Sequence, residues 1–291
     1  MIGFIGLGVM GEPICRNLAK KSGQKVIAYD LSPEPLERLA ADGVQAAGSV
    51  RDVAEKADTI FLSLPGGKEV KHVCAGPGGS LMLRARSNAY ILDLSTTPVA
   101  LAREMYDRFN ARGIHYSDAP VARTREAAEK GTLSIMVGGP EAVFKRMKPL
   151  LAHIGTDVTH CGAAGAGQAM KLINNMMLFQ NVLALAEGLA LAKRVGLDPM
   201  FALEVLSKGS ADSFALRNHG MKAMVPGAFP ERAYSVDYAR KDLGYALELA
   251  RQVKLELSGA HTVEALFQRA AEAGLDKSYF PVIAKLVNPE H

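Results

Sequence analysis

The chain has 291 residues, of which 48% are hydrophobic and 22% are charged, and its formal net charge is +4. This composition is typical of a soluble globular protein of one or two domains and argues against a disordered chain. Because the lysines and arginines are scattered along the sequence, no basic face for binding nucleic acid is predicted.

The cysteines argue against a disulfide framework or a metal site. Cys15, Cys74 and Cys161 are odd in number, far apart and without ligand spacing, and the seven histidines are equally scattered. The apolar start of the chain, MIGFIGLGVMG, lacks the basic region and cleavage site of a signal peptide. We therefore expect reduced thiols, no metal and a cytoplasmic location.

The first half of the chain alternates short β-like runs with helical segments. The β-like runs are IGFIG, KVIAYD, DTIFLSLP, AYILDLS, GIHYSDAP, LSIMVGG and DVTHC. Such alternation predicts βαβ units on a mostly parallel sheet with helices on both faces. The run TIFLSL has little polar–apolar alternation, as expected for a strand buried on both sides.

The glycine-rich stretch GFIGLGVMG in the first βα unit predicts a dinucleotide site. Gly6, Gly8 and Gly11 have the G-x-G-x-x-G spacing directly after a strand, and the helix EPICRNLAKK follows. The first glycine allows a tight turn, the second lets backbone approach a pyrophosphate, and the third permits close helix–strand packing. Val9 and Met10 lie in the same turn, where the helix N-terminus offers free N–H groups to phosphate. We predict a Rossmann domain over residues 1–162.

The next strand ends in VIAYD, which places Asp30 19 residues after Gly11. A carboxylate at this distance would accept hydrogen bonds from a ribose 2′-hydroxyl and repel a 2′-phosphate, which favours NAD over NADP. The alternative is that Asp30 caps the following helix.

Beyond residue 162 the pattern becomes helical, and no strand is predicted. The candidate helices are 167–195, 199–208, 211–219, 234–253, 259–273 and 279–286. The segment GAAGAGQ is interpreted as the hinge before an all-α domain over residues 163–291, with the long first helix joining the two domains. Asn, Gln, Glu and Lys recur in that helix, which argues against a membrane span and for a buried helix of a soluble protein.

Five motifs in order across nearly the whole chain carry a family resemblance. They are GFIGLGVMGEPICRNL, DLSTTPVA, DAPV followed by EKGTLSIMVGG, GAAGAGQAMKLINNMM and RKDLGYALELA. Together they resemble the β-hydroxyacid dehydrogenases, the family of 3-hydroxyisobutyrate dehydrogenase and tartronate semialdehyde reductase. The resemblance implies NAD(H)-dependent interconversion of a short 3-hydroxy acid and its semialdehyde, a small anionic substrate, and a homodimer or homotetramer.

The resemblance assigns the catalytic role to Lys171. An ammonium group among apolar neighbours can protonate a carbonyl oxygen as hydride reaches the carbon, although such a lysine would otherwise be interpreted as a snorkelling side chain. Asn174, three residues further, shares its helical face and is predicted to contact the substrate. Asn175 points elsewhere and is predicted to be structural.

Two turns at strand ends complete the predicted cofactor and substrate contacts. Ser95 and Thr96 lie where open α/β sheets bind ligands, and the resemblance assigns Ser95 to the substrate and Thr96 to the cofactor. Their alternative role is an ST-turn or a helix N-cap. Leu64 and Pro65 match the family's turn beneath the cofactor. Lys241 matches a lysine near the nicotinamide and would otherwise be a helix-surface charge.

The predicted substrate loop departs from the family pattern. After DAPV the family usually has Ser-Gly-Gly, whereas this chain has Ala122, Arg123 and Thr124. A guanidinium presents paired donors to an oxyanion, so we expect Arg123 to bind the anionic end of the substrate. The alternative is a salt bridge to Glu126 or Glu129.

An arginine and a threonine at these two positions resemble the sulfolactaldehyde reductase branch, in which the arginine binds a sulfonate. That branch has a serine where this chain has Leu178. The substrate candidates are therefore 3-hydroxyisobutyrate, glycerate or tartronate semialdehyde, and 3-sulfolactaldehyde.

Two other functions remain open. Imine reductases and reductive aminases resemble the family throughout but usually lack the lysine, and a catalytically idle NAD-binding relative is the second alternative. The presence of Lys171 favours a dehydrogenase over both.

Overall fold

The computed structural model describes residues 1–77, 80–231 and 233–287. The chain divides into two compact units, Met1–Lys171 and Leu172–His291. This division falls inside a long helix rather than in the glycine-rich segment, which instead belongs to the first unit.

The first unit is built on one sheet. Its strands are β1 (Ile2–Ile5), β2 (Val26–Tyr29), β3 (Val44–Ala46), β4 (Thr59–Leu62), β5 (Tyr90–Asp93), β6 (His115–Asp118), β7 (Val121–Ala122), β8 (Leu133–Gly138) and β9 (Gly155–Gly162). Their order is β3-β2-β1-β4-β5-β6-β8-β7, with β9 beside β8. The strands from β3 to β6 in this order are parallel, β8 is antiparallel to β6 and β7, and β9 is parallel to β8. The order reverses between β1 and β4, and open α/β sheets bind ligands at such a reversal.

Helices follow most of these strands. They are α1 (Gly11–Lys21), α2 (Pro33–Ala40), α3 (Val50–Lys56), α4 (Gly67–Ala75), α5 (Leu81–Arg84), α6 (Val99–Asn110), α7 (Arg125–Lys130) and α8 (Glu141–Leu151). Two of these helices begin at residues that favour a helix start. Pro33 is the first residue of α2, and the Ser49 hydroxyl caps α3 by accepting a hydrogen bond from the Asp52 N–H.

Both faces of the sheet are buried, as the sequence predicts. Within β4, Ile60 and Leu62 belong to one hydrophobic cluster while Phe61, between them, belongs to another. Successive side chains of a strand point to opposite faces, so each face has its own core. The prediction of a Rossmann-type α/β domain is confirmed.

The second unit is helical, which confirms the predicted all-α region. It begins inside α9 (Ala166–Arg194), at Leu172. After α9 come α10 (Pro199–Leu206), a π-helix (Leu216–Met224), α11 (Val236–Gln252), α12 (Ser258–Glu272), a 3₁₀ turn (Phe280–Ile283) and α13 (Ala284–Val287). Its core contains an aromatic cluster in which the Phe179 ring lies 5.4 Å from Phe267 and 5.3 Å from Phe280, both edge-on.

Three elements differ from the prediction. The short strand β3 was not predicted because VQA has one buried residue followed by two exposed ones. The helix predicted at 211–219 is mainly the π-helix, which begins later, at Leu216. The helix predicted at 279–286 is a 3₁₀ turn followed by one α-helical turn.

The long helix α9 is less buried than the sequence suggests. Its most apolar window has a mean hydropathy of 1.3, and 22% of that window is buried in the chain. Met170, Ile173, Met177 and Leu191 are all exposed. Among the described residues this helix alone is long and apolar enough to cross a membrane, but core helices of soluble proteins meet the same criteria. The expectation of a buried helix is not met within a single chain.

Candidate active site

The glycine-rich turn after β1 has the shape that a dinucleotide needs. Gly6 has a φ of 94°, and a Cβ on it would collide with the Ser63 carbonyl oxygen. A Cβ on Gly11 would collide with the Gly6 carbonyl oxygen, whereas one on Gly8 would meet nothing within 4 Å. The first and third glycines therefore make the turn tight, and the second leaves its backbone open to a ligand.

The other two residues of this turn differ in exposure. Val9 is 48% exposed, while Met10 is partly buried against the core and occupies the N-cap position of α1. No side chain caps this helix. Its first N–H groups are therefore left to a ligand or to water.

Asp30 lies beside the glycine-rich turn. Its Oδ2 accepts from the Leu7 N–H at 2.5 Å and its Oδ1 accepts from the Ser32 N–H at 2.8 Å. Ser32, not Asp30, occupies the N-cap position of α2. The carboxylate thus faces the turn between Gly6 and Gly8, as a ribose-binding group would.

The turn after β5 is fixed to the turn after β4 by a hydroxyl. The buried Ser95 Oγ accepts from the Leu64 N–H at 2.9 Å, and the Ser95 N–H donates to Asp93 Oδ1 at 3.0 Å. Pro98 holds the N-cap position of α6, so neither Ser95 nor Thr96 caps that helix. The helix-cap alternative is therefore wrong for both residues, and the Ser95 hydroxyl instead joins the turns after two neighbouring strands.

Two fully buried carboxylates lie under this edge of the sheet. Asp93 ends β5 and accepts from the Tyr116 hydroxyl at 2.9 Å, and burial raises its pKa to about 6. Asp118 ends β6, and burial raises its pKa despite hydrogen bonds from the backbone N–H groups of Gly165 and Gln168. Sequence reasoning missed both carboxylates, although each ends a predicted strand where ligand-binding residues collect.

Gln168 connects the start of α9 to the Ser95 turn. Its Nε2 donates to the Ser95 carbonyl at 2.7 Å and its Oε1 accepts from the Thr97 N–H at 3.0 Å. The side chain is fully buried. Lys171 follows one turn later on the same helix, so hydrogen bonds lead from the glycine-rich side of the sheet to the helical turn that carries the lysine.

The two asparagines after Lys171 have different environments. Asn174 is half-buried and its Nδ2 donates to Asn175 Oδ1 at 3.1 Å. Asn175 is buried and its Nδ2 donates to Asp242 Oδ2 at 2.8 Å and to the Tyr234 hydroxyl at 3.2 Å. Lys241, on α11, forms an ion pair with Asp242 Oδ1 at 2.9 Å.

Lys241 also packs against aromatic rings. Its Nζ lies 5.6 Å from the centroid of the Tyr238 ring and 5.3 Å from that of Tyr245. These contacts fix the ammonium group, whereas a simple helix-surface charge would extend into solvent.

Arg123 contacts the residue before β8 and two residues of β9 rather than the nearby glutamates. Its Nη1 donates to the Thr132 carbonyl at 2.6 Å and to the Thr156 hydroxyl at 2.9 Å, and its Nη2 pairs with Asp157 at 2.6 Å. The alternative partners were Glu126 and Glu129, which form ion pairs with Lys130 and Arg125.

The backbone at Arg123 has a φ of 88°, a conformation that glycine adopts readily and other residues rarely do. The family pattern that the sequence resembles has glycine at this position, where this chain has arginine. The flanking residues are ordinary: Ala122 is buried in β7, and the Thr124 hydroxyl caps α7 by accepting from the Ala127 N–H.

Comparison with known proteins identifies the family. The family model described as the NAD binding domain of 6-phosphogluconate dehydrogenase matches residues 1–162. A second, described as NAD-binding of NADP-dependent 3-hydroxyisobutyrate dehydrogenase, matches residues 165–287. The chain is 37% identical to the 2-(hydroxymethyl)glutarate dehydrogenase of Eubacterium barkeri, covering 98% of this chain and 94% of that protein. It is 36% identical to the 3-hydroxyisobutyrate dehydrogenase of Pseudomonas aeruginosa, with coverages of 95% and 96%.

The chain belongs to the β-hydroxyacid dehydrogenase family. Its fold matches the structure of Mycobacterium tuberculosis 3-hydroxyisobutyrate dehydrogenase with L-serine at a TM-score of 0.88 and 28% identity, covering 99% of this chain and 98% of that one. It is therefore an oxidoreductase of hydroxyacids that uses a nicotinamide cofactor.

The residues of this β-hydroxyacid dehydrogenase fit that cofactor. The backbone at Gly8 is open enough for a phosphate, and the Asp30 carboxylate, the group expected for a ribose, lies beside the same turn. In residues 1–77, 80–231 and 233–287, no group of three or more His, Cys, Asp or Glu side chains could hold a metal ion.

Proposed function

We propose that this β-hydroxyacid dehydrogenase interconverts a short 3-hydroxy acid and its semialdehyde with NAD(H). The observation that carries the proposal is the hydrogen-bonded series from Leu64 through Ser95 to Gln168, one turn before Lys171. It links the dinucleotide side of the sheet to a lysine that can exchange a proton with the substrate oxygen.

Lys171 acts as the acid in reduction and as the base in oxidation. When bound, the nicotinamide supplies or accepts the hydride at the carbon that carries the oxygen. In reduction the Lys171 ammonium donates its proton to the carbonyl oxygen as negative charge develops there, and in oxidation the neutral amine removes the hydroxyl proton. A cationic acid of this kind polarises the carbonyl by itself.

Asp30 gives the preference for NAD over NADP. Its carboxylate accepts hydrogen bonds from two backbone N–H groups and faces the glycine-rich turn. A 2′-phosphate there would place a second negative charge beside the carboxylate and be repelled. Replacing Asp30 by Ser should raise the ratio of kcat/KM for NADPH to that for NADH by about tenfold or more. An unchanged ratio would show that Asp30 does not read the ribose.

Ser95 is proposed to bind the anionic end of the substrate, and Arg123 lies in the loop to which the family pattern assigns the substrate. One relative carries the name of a hydroxy acid with two carboxylates, 2-(hydroxymethyl)glutarate. For Arg123 to bind a second or stronger anion, its guanidinium would have to exchange its Asp157 partner for the substrate. The carbon skeleton is therefore proposed to be short and to carry a carboxylate or a sulfonate.

The exposed apolar side of α9 supports a homodimer or homotetramer. Met170, Ile173 and Met177 are each more than 40% exposed in the single chain, and a second copy would remove them from water. The composition and the three unpaired cysteines support a cytoplasmic location.

The deciding experiment follows NADH oxidation with methylmalonate semialdehyde, tartronate semialdehyde, 2-formylglutarate and 3-sulfolactaldehyde. We expect turnover of at least one aldehyde, and Lys171→Ala should lower kcat about 10²- to 10⁴-fold. Lys193→Ala, at the exposed end of the same helix, is the matched control and should leave kcat unchanged.

Three results would contradict the proposal. Lys171→Ala retaining kcat within a few-fold of wild type would remove the lysine from the mechanism. Reduction of cyclic imines with no turnover of any aldehyde would favour an imine reductase, and NADH binding without any turnover would favour a non-catalytic relative.

A further inference from the structure

Gln168 uses both ends of its buried side-chain amide. The amide nitrogen donates to the Ser95 carbonyl and the amide oxygen accepts from the Thr97 N–H, so the side chain pairs with this turn as a strand would. Only an amide offers a donor and an acceptor side by side at neutral pH. The first turn of α9 is thereby held to the turn that follows β5.

The backbone at the same position is held by Asp118. Its Oδ2 accepts from the Gln168 N–H at 2.9 Å, and its Oδ1 accepts from the Gly165 N–H at 2.8 Å. A carboxylate that accepts N–H groups forms the stronger, charge-assisted type of hydrogen bond. The end of β6 therefore fixes the start of α9 from a second direction.

The glycines around Asp118 leave room for this arrangement. A Cβ on Gly138 would come within 2.5 Å of Asp118 Oδ1, and one on Gly167 would come within 2.9 Å of Oδ2. Within the GAAGAGQ segment, the Gly165 and Gln168 N–H groups donate to this buried carboxylate, and Gly167 allows the backbone to approach it closely.

These contacts converge one helical turn before the proposed acid. Lys171 is three residues after Gln168, and neighbours at this spacing lie on one helical face. The helix is rigid over one turn, so moving Gln168 moves the backbone of Lys171 with it. A displacement of about 1 Å at a reacting group can lower a rate about 10²-fold.

We propose that Gln168 and Asp118 are positioning residues that set the location of Lys171 relative to the Ser95 turn. The inference rests on the proposed function, because it assumes that Lys171 transfers the proton. Neither side chain touches the reacting atoms; the pair acts through the backbone of α9 and through Ser95.

The test compares Gln168→Met with wild type. Methionine has a similar length but cannot form either hydrogen bond. We expect kcat to fall about 10- to 100-fold while the Kd for NADH and the KM for the aldehyde change less than about threefold. The primary isotope effect on kcat with 4-deuterated NADH should rise, because the chemical step becomes slower than product release.

Asn17→Leu is the matched control. Asn17 is also a buried amide that joins two elements, since its Nδ2 donates to the Pro13, Ala128 and Glu129 carbonyls. Its loss should lower the melting temperature and leave kcat and the isotope effect as in wild type. If Gln168→Met behaves like Asn17→Leu, the amide is only structural and the inference is wrong.

Gln168→Glu keeps the inference testable if the methionine variant does not fold. A protonated carboxyl restores one donor and one acceptor, whereas the carboxylate repels the Ser95 carbonyl. The ratio of variant to wild-type kcat should therefore rise as the pH falls from 8.5 to 5.5. A ratio that is low and independent of pH would overturn the proposal.

A measurement without turnover separates the two proposals. The rate at which acetic anhydride acetylates Lys171, read by peptide mass spectrometry, reports the environment of the amine directly. We expect this rate to differ between wild type and the Gln168 variants and to match wild type in Asn17→Leu. An unchanged rate overturns the positioning role, whereas a wild type that reduces no aldehyde overturns the proposed function alone.

Discussion

Two turns of the first unit each contain a residue with a left-handed backbone, but the residue types and their surroundings differ. Gly6, in the dinucleotide turn, has a φ of 94°, and Arg123, at the tip between β7 and α7, has a φ of 88°. The first position uses glycine and is enclosed by the Ser63 backbone. The second position has an exposed arginine, which donates hydrogen bonds to Thr132, just before β8, and to two residues of β9.

The difference separates a residue fixed by close backbone contacts from one fixed by side-chain hydrogen bonds. At the buried edge of the sheet, Gly6 and Gly11 are required by close contacts with backbone. The exposed tip tolerates a residue with an unfavourable backbone because side-chain contacts offset a strain of about 1–3 kcal/mol. Changes in specificity are therefore expected at the tip, and loss of folding at the edge.

The largest effect is expected for Gly6→Ala. The new methyl group meets both the left-handed strain and the Ser63 carbonyl, so the free energy of unfolding should fall by about 2–5 kcal/mol. Urea unfolding measures this loss, and NADH titration should show weakened binding. Gly23→Ala is the control because Gly23 has a φ of 67° but open space around it. Equal losses for the two variants would mean that the close contact is unimportant.

The second-largest effect is expected for Asp93, a buried carboxyl group at the same edge of the sheet. Burial raises its pKa to about 6 from an ordinary value of 3.8, so folding favours the protonated form. That stabilisation is fully present below pH 4 and is lost as the pH rises through 6. The wild type should therefore lose about 2–3 kcal/mol relative to Asp93→Asn between pH 4 and pH 7.5. Urea unfolding of both proteins at the two pH values gives the difference, and a constant difference would contradict the prediction.

A smaller effect is expected at Arg123, where arginine can be compared with glycine, the residue of the family pattern. Arg123→Gly relieves the backbone strain, whereas Arg123→Ala keeps the strain and loses the hydrogen bonds. The alanine variant should be about 1 kcal/mol less stable than the glycine variant, as measured by chemical denaturation. If alanine is the more stable of the two, the left-handed backbone is not maintained without the guanidinium.

The smallest effect is expected for Asp157→Asn. Hydrogen bonds from Thr156 and then Arg123 lower the pKa of this exposed carboxyl. Its contribution is therefore present at neutral pH and is lost as the pH falls through that lowered pKa. The change in melting temperature should be smaller than for Arg123→Ala and should disappear in 1 M NaCl. A change that persists in high salt would show that the pair is shielded from solvent.

The sequence predicts the fold well because burial leaves a direct trace in it. The apolar run around Ile60 and the helical spacing after residue 166 define the sheet and the all-α unit. Pairing direction leaves no such trace, so the antiparallel β8 was not predicted. The strand β3 is short and mostly exposed, and nothing in VQA distinguishes it from a loop.

The candidate site was likewise predicted where the signal is local in sequence and not where it depends on distant residues. The glycine spacing and Asp30 are local signals, and they predict the dinucleotide turn. The partners of Arg123 lie 9 to 34 residues away in the chain, so the sequence suggested nearby glutamates instead. The role of Gln168 depends on contacts with Ser95 and Asp118, both distant in sequence, and one chain alone gives no means of finding them.

The long sequence separation of these contacts has a consequence for folding. Gln168 is 73 residues from Ser95 and 50 from Asp118, whereas Leu7 and Asp30 are 23 residues apart. Contacts that close longer loops cost more chain entropy and tend to form later. We expect the cofactor turn to be complete while the start of α9 is still unattached, so that a newly made chain can bind NADH before it can catalyse.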